Sequence, residues 1–123
     1  MRVTGYGVIF NSSGSIRYEA SGVIKTTNKD TNLASRIKII LLGLEEVIHQ
    51  FKPDCVAIEK VFVNTNPQST LLLGQARGAA ISAAVMQNLD VYEYTALQVK
   101  KSVVGMGHAS KSQVQIMVQK LLN

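Results

Sequence analysis

Glu59 is the carboxylate whose setting in the sequence suits chemistry. It belongs to the stretch Pro53 to Phe62, in which a Pro-Asp turn signal gives way to the apolar run Val56, Ala57 and Ile58 and then to the acid. Such a run suits a strand covered on both faces, as in a sheet flanked by helices. Ligands of open α/β sheets collect at the carboxyl ends of strands, so an acid at that position is placed for ligand chemistry. The competing reading is a polar residue leaving the sheet for solvent. Phe62, just beyond, suits stacking on a nucleic-acid base, with plain core packing as the alternative. Cations are concentrated downstream: no Asp or Glu follows Glu93, whereas Lys100, Lys101, His108, Lys111 and Lys120 all do. A carboxyl-terminal third of one sign reads as a phosphate-facing surface, against the plainer reading of a basic solvated face.

Composition bounds these readings. The 123 residues make one domain, 1–123, with 46% hydrophobic and 17% charged residues, nine Gly and two Pro. Thirteen Lys and Arg against eight acids leave a formal charge of +5, which favours a polyanionic partner. Apolar patches are interrupted by charged or amide residues well short of a membrane span, and the amino terminus lacks a signal peptide, so the expectation is a cytoplasmic protein with no membrane partner. Cys55 is the single cysteine. It has no partner for a disulfide and no metal-ligand neighbour, and reads as core packing.

The elements that must position Glu59 are legible in order. Residues 3–10 and 16–27 are β-rich and flank the turn cluster Asn11 to Ser15, which predicts a hairpin. Gly5 and Gly7 either admit another backbone or substrate, or serve a bulge or packing. Asp30, Thr31 and Asn32 offer a cap for a helix carrying Leu33, Ile37, Ile40, Leu41, Leu44, Val47, Ile48 and Phe51 on one face, stopped by Pro53. His49 near its end reads as a solvated or end-neutralising residue. Asn66 and Pro67 suit the cap and first position of a helix over 68–88 that is rich in Gly, Ala and Ser. Interior glycines cost about 1 kcal/mol each relative to Ala, so a close neighbour should compensate, either the chain's own sheet or the same helix of a second subunit. Residues 91–94 alternate like a strand, Thr95 can cap a helix through Val104, and Ser110 with Gln113 forms a capping box for a last helix from Lys111 to Leu122. The order is that of an α/β protein with a mixed β-sheet flanked by helices.

The segments Arg-Val-Thr-Gly-Tyr-Gly-Val-Ile (2–9), Ala-Ile-Glu-Lys-Val-Phe (57–62), Leu-Gly-Gln-Ala-Arg-Gly (73–78) and Gln-Val-Lys-Lys-Ser-Val-Val-Gly-Met-Gly-His-Ala-Ser-Lys-Ser-Gln-Val (98–114) closely resemble the RuvC crossover (Holliday) junction endodeoxyribonucleases of bacteria. The resemblance runs over essentially the whole chain. It implies a ribonuclease H-like fold, a homodimer, work alongside a branch-migration helicase complex, and symmetric cutting of four-way DNA junctions with divalent metal. Carried onto this sequence, it implies that Glu59 is the catalytic, metal-binding glutamate, that Phe62 stacks on DNA near the crossover, and that Asn66, Lys100 and Lys111 contact DNA. It also makes the helix from Gln68 onward the dimer helix, with Leu72, Gln75, Ala76, Ala79 and Ala83 at the interface. Two Mg2+ ions about 4 Å apart would activate water and stabilise the leaving oxygen.

The chain departs from the family pattern at both ends. The family's Asp-Pro-Gly-Ser strand would precede residue 1 and its Asp-Ala-Ala-Asp-Ala helix would follow Asn123, and each carries metal-binding acids. Of about four carboxylates that the resemblance implies, Glu59 alone is present. The expectation is a ribonuclease H-like domain truncated at both ends, inactive with Mg2+ and weakly folded, because the strand before residue 1 would lie between the hairpin and the strand of Glu59. A DNA-binding or dimerisation remnant of the family is the alternative. An ATPase of the actin and sugar-kinase type is disfavoured because no glycine-rich phosphate loop is evident.

Overall fold

The structure, a computed structural model, describes residues 3–26, 32–60 and 67–122, with the backbone alone for Ser69 and Thr70. Phe62 and Asn66 lie outside the described residues. The elements run β1 (Val3–Ser12), β2 (Ser15–Lys25), α1 (Leu33–Phe51), β3 (Cys55–Glu59), α2 (Pro67–Met86), β4 (Asp90–Tyr94), α3 (Ala96–Val104) and α4 (Lys111–Leu121). Their order is that expected from the sequence.

The hairpin turns through Ser13 and Gly14, whose φ angles of 52° and 83° are the left-handed pair that matches the twist of two-residue hairpin loops. Its register shifts once, at Val8 and Ile9. A Cβ on Gly5 or Gly7 would meet nothing within 4 Å, so neither glycine serves a close approach within the described chain.

Helix α1 begins where the Asn32 side chain accepts a hydrogen bond from the Ser35 N–H at 2.7 Å, and ends at Lys52 in the left-handed region. It lies closely on the hairpin, since a Cβ on Gly43 would come within 2.8 Å of Ile24 Cδ1. Its Ile37, Ile40, Leu41 and Leu44 pack with Ala76 and Ala79 of α2. Every other buried apolar residue of the described chain is an alanine: Ala83, Ala84 and Ala109. The small residues of α2 thus compensate their weak packing area by letting α1 come near.

The mix of strand directions read from the sequence is present, divided between two two-stranded sheets. β1 and β2 are antiparallel, β3 and β4 parallel, and among the described residues no strand joins the two pairs. Helix α2 packs on both β3 and β4. Val56 and Ile58 are half-buried, while Cys55, Ala57 and Glu59 are exposed. The expectation of a strand covered on both faces, with Cys55 in the core, is therefore corrected. One face of β3 meets α2, and strand alternation turns the other to solvent. No helix of the described residues is long and apolar enough to cross a membrane.

Candidate functional site

Glu59 is the last residue of β3 and is exposed. The parallel ladder places it opposite Tyr94, with Ile58 opposite Glu93 one step earlier. The ladder continues past the strand end, where Lys60 N–H donates to the Tyr94 carbonyl at 2.7 Å. Side chains alternate along a strand, so Ile58 and Glu93 share the face toward α2 and Glu59 and Tyr94 share the opposite face. The acid stands at the carboxyl end of β3, as read from the sequence, and its side chain is exposed.

Arg77 of α2 reaches this end. Its Nε–H donates to the main-chain carbonyl of Glu59 at 3.2 Å, and its Nη2 is paired with the Glu93 carboxylate. Neither residue was assigned a role from the sequence. A signal was there: Arg77 is the single charged residue in the 20 residues of α2.

The two lysines lie on the next two helices. Thr95, directly after Tyr94, caps α3 in a reciprocal box with Gln98, so α3 starts beside the end of β3. Lys100 is the fifth residue of α3, about 6 Å along its axis, and is half-buried. Lys111 opens α4 behind the Ser110 and Gln113 capping box read from the sequence, and is exposed. Helices α3 and α4 pack together, with Gly107 of the connecting loop set so closely that a Cβ would lie 2.7 Å from Leu97 Cδ1. The lysines thus sit on adjacent helices downstream of the acid, and the structure shows neither bonded to Glu59.

The residues expected at a dimer interface divide between two faces of α2. Ala76, Ala79 and Ala83 are buried in the chain's own interior, and Leu72 with Ala76 lines the seam against Leu33, Ile37 and Ile40 of α1. Ala76 and Ala79 pack against α1, and Ala83 is buried as well. Gln75 is exposed, on the same side as Leu71, Gly74, Gly78, Ser82 and Val85.

No group of three or more His, Cys, Asp or Glu side chains comes together among the described residues. One exposed carboxylate with Glu93 turned to the other face does not make a two-ion site.

The chain matches the family model described as crossover junction endodeoxyribonuclease RuvC over residues 1–123. It is similar to the crossover junction endodeoxyribonuclease RuvC of Methylobacillus flagellatus, 61% identical over 127 residues that span 100% of this chain and 71% of that protein. The protein of that name from Herminiimonas arsenicoxydans is 62% identical over 122 residues, spanning 99% and 67%. The solved structure of Thermus thermophilus RuvC superposes with a TM-score of 0.84 at 31% identity, covering 98% of this chain and 74% of that one. T. thermophilus RuvC in complex with a Holliday junction substrate superposes with a TM-score of 0.86 at 33% identity, covering 96% and 72%. The α/β fold is accordingly ribonuclease H-like, and the chain belongs to the RuvC family of crossover junction endodeoxyribonucleases.

Proposed function

We propose that this protein acts on four-way DNA junctions in recombination and repair, with Glu59 as the carboxylate at the cutting site and Lys100 and Lys111 meeting phosphates beside it. The observation that carries the reading is the placement of Glu59: an exposed acid at the carboxyl end of a strand, with the start of α3 alongside. The similarity to RuvC bound to a Holliday junction supports the choice of substrate. Phe62 and Asn66 join the proposed DNA contacts on the resemblance alone. Selectivity for a junction would rest on shape and deformability more than on base edges.

The protein is further proposed to act as a homodimer, together with a branch-migration helicase. What supports a dimer in this chain is the exposed face of α2. A Cβ at Gly74 or Gly78 would meet nothing within 4 Å, and Leu71 beside them is 67% exposed.

Metal-dependent cutting, with Mg2+ as the proposed ion, needs more acids than the described residues bring together. That observation favours a second reading for the 123 residues taken by themselves: junction binding without cutting. A labelled four-way junction and a matched linear duplex, each incubated in Mg2+ and in Ca2+ and run on native and denaturing gels, separate the two. The expected result is retardation of the junction over the duplex with no cuts. Symmetric cuts in Mg2+ that disappear in Glu59→Gln would overturn the binding-only reading and establish Glu59 as catalytic. Failure to bind the junction at all would sink both.

A further inference from the structure

We propose that Arg77 is a positioning residue for Glu59, an inference that rests on the reading of Glu59 as the functional carboxylate. The peptide unit joining Glu59 to Lys60 is held from both ends. Its N–H donates to the Tyr94 carbonyl at 2.7 Å, and its C=O accepts from Arg77 Nε–H at 3.2 Å. The same guanidinium is paired through Nη2 with Glu93, the strand neighbour opposite Ile58. One planar group therefore ties the ends of β3 and β4 together at the step where the ladder runs out, and its fork geometry makes two contacts that an ammonium cannot reproduce.

The helix supplies a fixed base for this clamp. Ala76, immediately before Arg77, and Ala79, two residues after it, are both buried against α1. The Arg77 side chain is 23% exposed, so its stem is largely covered, while Glu93 is 37% exposed and in contact with water. Alternation directs the Glu59 carboxylate away from α2. Arg77 thus grips the main chain of Glu59 and leaves the carboxylate to its own work. A partly exposed ion pair adds little to global stability, whereas a charge-assisted bond to a strand-end carbonyl restrains local geometry. This difference separates positioning from a merely structural role.

The test compares the wild-type chain with Arg77→Gln, Arg77→Lys and Glu93→Gln by NMR. It follows hydrogen exchange of the Lys60 amide, the carbonyl 13C shift of Glu59, and the thermal melting midpoint of each variant. In Arg77→Gln the Lys60 amide should exchange about tenfold faster and the Glu59 carbonyl shift should move, with amides of α1 unchanged. Arg77→Lys keeps the charge without the fork and should leave the Glu59 carbonyl close to its shift in Arg77→Gln. Glu93→Gln should give a smaller change of the same sign. Unchanged Lys60 exchange and Glu59 shift in Arg77→Gln, or full rescue by Arg77→Lys, would overturn the proposal. If Arg77→Gln fails to fold, Arg77→Lys and Glu93→Gln decide it on the same signals. No DNA enters these measurements, so failure of the Arg77 clamp and failure of the junction reading are told apart.

Discussion

At the scale of single side chains, Glu59 was marked by its place after an apolar run, and Lys100 and Lys111 were set apart from the other downstream cations by the resemblance to RuvC proteins. Their proposed work is electrostatic and therefore salt-dependent. Each phosphate contact removed lowers the slope of log K against log[salt] by about one unit for duplex arms. Lys111→Ala, at the exposed start of α4, is expected to weaken junction binding and reduce that slope by about one. Lys100 is half-buried, so its substitution should carry a packing loss as well, through the stem that covers apolar surface. Filter binding across a salt series checks this, and an unchanged slope in Lys111→Ala would remove it from the interface. What the sequence left unseen at this scale was Arg77. Its partners, a backbone carbonyl 18 residues away and a carboxylate 16 residues away, are brought near only by the packing of α2 on the strands.

Among the elements, α2 carries the clearest division of labour. Its alanines serve the chain's own core and its glycines face outward. Three glycine substitutions tell these surfaces apart. Gly43→Ala on α1 would press a methyl into Ile24 and should cost about 1–3 kcal/mol of stability in urea denaturation. Gly74→Ala and Gly78→Ala meet open space and should each stabilise the monomer, by about 1 kcal/mol of helix propensity. If a second copy docks on that face, the same two variants weaken self-association because the added methyls hold the helices apart. Sedimentation at several concentrations reads that outcome; association undiminished in both variants would remove the Gly74 and Gly78 face from the interface. The capping boxes at Thr95 and Ser110 were legible because each depends on residues three apart in the chain.

For the whole molecule, surface decides more than any single contact. The chain exposes 8906 Å2, against about 6500 Å2 for a compact monomer of its 13.4 kDa mass. No large side chain among the described residues is fully buried, while Ile9, Phe10, Leu71 and Met86 are each at least half exposed. Two-stranded sheets are marginal on their own in water, and a parallel pair is ordinarily covered on both faces. The expected behaviour of the isolated chain is a broad thermal transition below about 50 °C, the lower part of the range for intact small domains. Circular dichroism checks it, and a sharp transition above that temperature would show that the exposed apolar surface is covered in solution.

The sequence by itself determined the order of elements, the caps of α1, α3 and α4, the hairpin turn and the placement of Glu59 at a strand end. Each of these is set by local chemistry: backbone preferences, side-chain bonds three residues apart, and the alternation of polar and apolar positions. Tertiary structure alone decided that Cys55 and Ala57 face solvent, that the alanines of α2 are internal, and that Arg77 bonds to the end of β3. Those outcomes depend on which surfaces meet, and the small residues of α2 are equally compatible with a partner inside the chain or outside it. The approach of α1 and of the β3–β4 pair assigns part of that helix to the interior and leaves the rest to water.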